Sequence, residues 1–238
     1  MIEFRNVTKY FDHKGNRKYI LQDASCIIPA GKNLAVLGED GAGKSVFINL
    51  MGNASFPNSG SIISDEKISW PVAHSGALLN TLSARENVEF ICMIMQAGRH
   101  KRMHIQEFIY DFTELGKYYD MELKTYSKSM RARLSLALCL AFEFDTYLFD
   151  DFSYSGDSVL AGKAEKFIAE HRANSRFVIV TKSLRKIQEN CDCAVLIKDN
   201  KLFYYDNIEA AVEESKKMFN NNAEALADDG SDDDNSGE

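Results

Sequence analysis

The sequence has no apolar run long enough to cross a membrane as a helix. Its longest apolar stretches lie around residues 90–95 and 134–142, well short of the roughly 20 residues that such a span needs. The first residues carry no signal-peptide pattern. These absences predict a cytosolic protein that reaches a membrane only through a partner.

Cysteine spacing typical of zinc sites and a net basic charge are also missing. The five cysteines are scattered. Cys191 and Cys193 could form a redox or metal pair, and reduced cysteines of the core are the ordinary alternative. The formal net charge is −7, which argues against a nucleic-acid partner because such proteins present basic surface.

The net charge lies at the C-terminal end of the chain. Residues 220–238 carry seven acidic and no basic side chains, which accounts for the whole net charge. A segment this acidic and this poor in aromatics cannot bury enough apolar surface to fold. We therefore predict a disordered acidic tail over residues 220–238, either a plain solvated end or a regulatory or partner-binding segment.

A phosphate-binding loop is the most informative motif present. Residues 38–45 read G-x-x-x-x-G-K-S, in which glycines let successive backbone N–H groups surround phosphate oxygens. An apolar run typical of a buried strand precedes the loop, and a run typical of a helix follows it. We expect Lys44 to reach the β and γ phosphates and the Ser45 hydroxyl to bind Mg²⁺. The predicted nucleotide contacts here are Gly38, Glu39, Asp40, Gly41, Ala42, Gly43, Lys44, Ser45 and Val46.

Asp150 supplies a second candidate ligand. It follows the apolar residues 146–149, which predict a buried strand. A carboxylate at that strand end can hold Mg²⁺ beside Ser45. A cap on the following turn is the alternative for such a residue considered alone.

The remaining pattern predicts an α/β fold. Residues 82–124 and 134–141 are predicted helical, residues 193–197 and 201–205 a hairpin, and residues 208–219 a terminal helix. Because helices alternate with unbroken apolar strands, the sheet should be mostly parallel. The basic run 99–102 is predicted to be an exposed turn between helices, or else a contact for a partner or an anionic membrane surface.

Residues 124–134, K-T-Y-S-K-S-M-R-A-R-L, resemble the signature motif of ABC-transporter ATPases. The form is that of subunits that power export of capsular polysaccharide, O-antigen or teichoic acid, and residues 68–72 and 85–88 resemble the same branch. The order of phosphate loop, signature, carboxylate strand, Gly156-Asp157 and residues 179–183 is also that of the family. The resemblance covers residues 1–206.

The resemblance implies a P-loop NTPase of the ABC ATPase type. Its mostly parallel core sheet would carry an N-terminal antiparallel β portion and an inserted helical subdomain at about residues 82–140. The ATP-binding domain would span residues 1–219. It further implies a homodimer or heterodimer of ATP-binding subunits, in which Ser127, Ser129 and Asp157 act across the interface.

The resemblance also assigns partners and an adenine contact. It implies ATP and Mg²⁺ as ligands and a separate membrane permease, with the subunit peripheral on the cytoplasmic face of the inner (cell) membrane. Phe11 falls where the family stacks an aromatic ring on adenine. Tyr10 and Tyr19 are nearby alternatives, and an aromatic here could equally belong to the core.

Departures from the family pattern lie at catalytic positions. Asp151 stands where the family usually has a glutamate that acts as general base, and Lys182 stands where it usually has a histidine beside the γ-phosphate. Lys128 and Ser129 replace a glycine pair, and the usual glutamine is absent, with His74 near its position. Asp151 and Lys182 are the candidate catalytic residues. These changes predict firm Mg-ATP binding with slow hydrolysis.

The resemblance predicts an ATP-hydrolysing subunit that energises export of a surface polysaccharide. The first alternative is a non-hydrolysing regulatory subunit of a heteromeric complex. A soluble ABC ATPase acting on nucleic acid or ribosomes is disfavoured by the formally neutral body and single cassette. A kinase using the same loop would leave the signature segment unexplained.

Overall fold

The computed structural model describes residues 1–72, 78–150 and 158–228, and these residues form two β-sheets and seven α-helices. In chain order the strands are β1 (Ile2–His13), β2 (Asn16–Ile28), β3 (Leu34–Leu37), β4 (Ser59–Ser64), β5 (Ile68–Pro71), β6 (Thr146–Phe149), β7 (Arg176–Ile179), β8 (Cys193–Lys198) and β9 (Lys201–Tyr205). The helices are α1 (Lys44–Met51), α2 (Ala84–Ile94), α3 (Arg99–Thr113), α4 (Lys128–Leu140), α5 (Ser158–His171), α6 (Leu184–Asn190) and α7 (Ile208–Asp228).

The smaller sheet is antiparallel, with strand order β2-β1-β4. The sequence predicts a polar turn over residues 12–18, but the turn is shorter, because the two strands continue to His13 and resume at Asn16. Lys14 and Gly15 both adopt positive φ, +50° and +83°. Two consecutive residues of this kind make the tight hairpin connection whose twist matches its strands.

The larger sheet has the order β5-β6-β7-β3-β8-β9 and is parallel except for β9. Strands β3, β6 and β7 are buried along their whole length, as expected for a sheet covered on both faces. The predicted hairpin between residues 193 and 205 is confirmed, with Asp199 and Asn200 at positive φ in its turn. The mostly parallel core sheet is therefore as predicted.

Helices α2, α3 and α4 lie between β5 and β6 in the chain, and α3 packs against both α2 and α4. The stretch 82–124 is two helices followed by two 3₁₀ turns, Gly116–Asp120 and Leu123–Thr125. Ser83 and Glu86 form a reciprocal capping box that fixes the start of α2. The basic run 99–102 is the first turn of α3 and not a turn between helices, and Arg102 pairs with Glu89 at 2.7 Å.

Helix α7 runs to Asp228, nine residues beyond the predicted end at Phe219. The first part of the segment that we expect to be disordered is therefore helical. Residues 223–227 are alanine, glutamate and leucine, which are strong helix formers, so a started helix propagates through them. Across the described residues, no helix combines the length and apolarity that a membrane span requires.

Helix α1 lies between the two sheets and fixes the position of the phosphate loop. Its Phe47 stacks on Phe4 of β1, with ring centroids 4.9 Å apart and planes 11° from parallel. Phe47 and Ile48 belong to a buried cluster that joins both sheets. Because α1 begins at Lys44, this packing holds the preceding loop against the carboxyl end of β3.

Candidate nucleotide site

Three adjacent strands bring the candidate residues to one edge of the larger sheet. The phosphate loop follows β3, Lys182 follows β7, and Asp150 follows β6 directly. These strands are parallel neighbours in the order β6-β7-β3, so their carboxyl ends meet. Ligands of open α/β sheets bind at such an edge.

A cleft of about 930 Å³ opens at this edge. It brings together eight of the residues predicted from the sequence: Asp40, Gly41, Gly43, Lys44, Ser45, Val46, Asp150 and Lys182. Its other lining residues are Ile20, Val180, Thr181 and Ser183. The sequence does not predict these four as site residues. Ile20 comes from the other sheet, and residues 180, 181 and 183 belong to the stretch 179–183, in which only Lys182 is a predicted site residue.

The loop backbone requires glycine where α1 begins. Gly43 has φ +100° and immediately precedes the helix, where the Phe47 N–H donates to its carbonyl oxygen at 2.9 Å. A Cβ on Gly43 would lie 2.1 Å from Cγ2 of Ile20. Only glycine combines this positive φ with so close an approach of β2.

Replacing Gly43 with alanine should therefore destabilise the loop and weaken nucleotide binding. The positive φ alone costs an L-residue about 1–2 kcal/mol, and Ile20 must also move. We expect a lower free energy of unfolding in denaturant titrations and weaker ATP binding by calorimetry. Gly162→Ala on α5 is the matched control, since its added Cβ meets nothing within 4 Å. An unchanged Gly43→Ala protein would contradict this description of the loop.

Lys44 folds back on the loop. Its Nζ donates to the carbonyl oxygens of Gly38 and Glu39, both at 2.7 Å. Burial lowers the pKa of Lys44, and the nearby Asp40 carboxylate opposes that shift. The ammonium group thus lies inside the loop that should receive phosphate, held by carbonyl oxygens that phosphate oxygens can replace.

Asp40 and Lys182 form an ion pair between the loop and the end of β7. Lys182 Nζ donates to Oδ2 of Asp40 at 2.8 Å, and this hydrogen bond lowers the pKa of the Asp40 carboxyl. The second carboxylate oxygen of Asp40 is 4.0 Å from Lys44 Nζ. The three charged side chains all line the cleft.

Ser45 and Asp150 provide the oxygen donors that Mg²⁺ prefers. A hydroxyl and a carboxylate are hard ligands, and Mg²⁺ is commonly held by one or two carboxylates together with substrate phosphates and water. Among the residues that the structure describes, no group of three or more His, Cys, Asp or Glu is placed to hold a metal alone. The donor set therefore fits a metal that arrives with the nucleotide.

The signature residues lie elsewhere on the surface. Ser127 is the N-cap of α4, and its Oγ accepts the N–H of Met130 at 3.2 Å. Ser127, Lys128 and Ser129 are exposed, and neither serine lines the cleft of its own chain. An exposed helix N-terminus with no acidic residue in its first turn is suited to an anion.

The candidate adenine contacts are on β1 and β2. Phe11 is 49% exposed and does not line the cleft, and Lys9 Nζ lies 5.3 Å from its ring centroid. Tyr10 and Tyr19 are paired across the strands, with centroids 5.4 Å apart. Because consecutive residues of a strand point to opposite faces, Phe11 and Tyr10 cannot serve the same nucleotide. Asp151, Asp157 and His74 lie outside the described residues.

Comparison with known proteins identifies the family. The sequence model that describes the ABC transporter family matches residues 21–153 of this chain. The chain belongs to the ABC transporter family. It is an ATP-binding subunit and ATPase of that family, so the predicted family, fold class and enzymatic activity are confirmed.

Relatives of this ABC ATPase match it over nearly their whole length. The chain is 38% identical over 217 residues to the polysialic acid transport ATP-binding protein KpsT of Escherichia coli, covering 91% of this chain and 96% of that protein. It is 33% identical over 213 residues to the capsule polysaccharide export ATP-binding protein CtrD of Neisseria meningitidis, covering 90% and 97%. These two proteins belong to the export branch that the sequence resembles.

A solved structure shares the fold. The dimeric post-hydrolysis state of the ATP-binding cassette MJ0796, bound to ADP and Pi, superposes with a TM-score of 0.73 at 21% identity. The match covers 87% of this chain and 99% of that one. At this identity the likeness supports the architecture, in which two sheets enclose α1, and no finer statement.

Proposed function

We propose that this ABC ATPase binds and hydrolyses Mg-ATP in the cleft and thereby energises export of a surface polysaccharide. The polymer would cross the membrane through a separate permease, with this subunit on the cytoplasmic face of the cell membrane. The observation that carries the proposal is the convergence of Lys44, Ser45 and Asp150 in one cleft. The near full-length similarity to polysaccharide export subunits supports the choice of cargo.

The chain's own residues account for binding. Loop N–H groups and the N-terminus of α1 favour the phosphate chain, and Lys44 adds a cation beside them. Ser45 and Asp150 would hold Mg²⁺, which neutralises developing charge on the phosphates when bound. The apolar side chain of Ile20 forms one wall of the cleft, which helps to exclude water from that side.

The proposed catalytic groups adjoin this site. Asp151 follows Asp150 in the chain and is our candidate general base for the attacking water. Lys182 would pair with the terminal phosphate. We further propose a dimer, homomeric or heteromeric, in which Ser127 and Ser129 of one subunit close on the nucleotide held by the other, together with Asp157.

A second function is favoured by one specific observation. Lys182 is engaged with Asp40, and Asp151 is one methylene shorter than glutamate, so this chain could act as a regulatory ATP-binding subunit that turns over slowly. Single-turnover release of labelled phosphate from Mg-ATP separates the two functions. Phosphate release by the purified protein supports a motor subunit, and tight binding without release supports the regulatory one.

Changing Asp151 to Glu and Lys182 to His together should raise turnover at least about tenfold, because a well-placed general base contributes about 10²–10⁴ in rate. Steady-state phosphate release, with each single variant as control, measures the change. Robust native turnover that the double variant leaves unaltered would show that neither departure limits hydrolysis.

A further inference from the structure

One carboxylate in the cleft faces two ammonium groups. Asp40 Oδ2 accepts from Lys182 Nζ at 2.8 Å, and Asp40 Oδ1 lies 4.0 Å from Lys44 Nζ. Asp40 belongs to the loop after β3 and Lys182 to the segment after β7, which are neighbouring strands. The Asp40–Lys182 pair therefore connects these two segments across the cleft, and this cleft should receive the phosphates.

The Asp40–Lys182 ion pair is weak enough for Lys182 to exchange Asp40 for another anionic partner. Lys182 is 81% and Asp40 77% exposed, and ion pairs this open to water are weak and screened by salt. Lysine carries its charge on a flexible four-carbon stem and binds phosphate as a point charge. A terminal phosphate in the cleft offers Lys182 several charged oxygens, whereas Asp40 offers it a single carboxylate. That carboxylate lies on the loop that would already face the other phosphates.

We infer that Asp40 is a positioning residue that holds Lys182 across the cleft before ATP enters and releases it to the terminal phosphate. The inference rests on the proposed Mg-ATP site. ATP must then break the Asp40–Lys182 pair, whereas ADP, which lacks the terminal phosphate, can bind with the pair intact. Asp40 thus lowers the preference of the site for ATP over ADP, and it does so through Lys182.

The test is a double-mutant cycle on nucleotide preference. Affinities for ADP and a non-hydrolysable ATP analogue are measured by calorimetry with Mg²⁺ for the native protein, Asp40→Asn, Lys182→Ala and the double variant. We expect Asp40→Asn to raise the ATP-analogue-over-ADP ratio by roughly three- to fivefold, the scale of an exposed ion pair. In the Lys182→Ala background the same change should alter the ratio much less.

Glu39→Gln is the matched charge control, because it removes one negative charge from the neighbouring loop position and leaves the Asp40–Lys182 pair in place. Glu39→Gln should raise the affinities for ADP and for the ATP analogue by a similar factor. The Asp40→Asn gain should also shrink as salt rises from about 0.05 to 0.5 M, since salt screens the pair that it removes. Thermal unfolding of each variant verifies that it is folded.

The outcomes separate this inference from the proposed site. An Asp40→Asn ratio equal to that of the native protein, or one that changes equally with and without Lys182, would overturn the role of the pair. A native protein that binds neither nucleotide would instead contradict the Mg-ATP site itself. A salt-dependent gain that needs Lys182 supports the inference.

Discussion

Replacing Lys44 with alanine should lower ATP turnover by about 100- to 1000-fold, the usual cost of removing one preorganised group that stabilises developing charge. Lys44 is the cation inside the phosphate loop, and its Nζ donates hydrogen bonds to the carbonyl oxygens of Gly38 and Glu39. No other side chain of the loop carries positive charge. Single-turnover phosphate release and calorimetric ATP binding measure the loss.

Lys166→Ala is the control for loss of a lysine. Lys166 lies on α5, is 76% exposed and forms a 3.8 Å pair with Glu170 of the same helix, so its removal should leave turnover unchanged. Equal turnover in the Lys44→Ala and native proteins would show that phosphate release arises elsewhere or from a contaminant.

Replacing Glu66 with glutamine should lower the free energy of unfolding by about 3 kcal/mol, because it leaves the charge of Arg176 buried without a carboxylate. Arg176 is 3% exposed at the start of β7, and its Nε donates to Oε2 of Glu66 at 2.8 Å. Its Nη1 also donates to the carbonyl oxygen of Pro29 at 2.6 Å. The expected fall in melting temperature is roughly 6–12 °C for a chain of this size.

The double variant Glu66→Gln with Arg176→Met is the informative control. Replacing both members of a buried pair with neutral side chains is often close to neutral for stability, so the double variant should recover most of the loss. The pair lies at the amino ends of the strands, opposite the cleft, so ATP affinity should be preserved in all folded variants. A double variant less stable than Glu66→Gln would contradict this account of the pair.

The sequence was sufficient to predict the phosphate loop and the strand that carries Asp150. A glycine-rich loop between an apolar strand and a helix is a local pattern, and its chemistry follows from backbone geometry. Parallel strand order then explains why Asp150 and Lys182 join the loop, although sequence alone does not show which strands are neighbours. The tertiary register of β6, β7 and β3 supplies that information.

Other features depend on contacts that no local pattern records. Ile20 enters the cleft because β2 packs over Gly43, which follows from the packing of one sheet on α1. The Asp40–Lys182 pair joins residues 142 positions apart. The extension of α7 to Asp228 shows the opposite case, in which acidic composition predicted disorder while local helix propensity prevailed over residues 220–228.

The most direct test of ATP-driven polysaccharide export by this subunit replaces the native gene with its Lys44→Ala version in the source cell and measures polysaccharide on the cell surface. The Lys166→Ala version serves as the control. We expect that Lys44→Ala removes surface polymer, with polymer retained inside the cell, and that Lys166→Ala leaves export intact. Normal surface polysaccharide in the Lys44→Ala cells, with the variant protein present at the native level, would contradict this expectation.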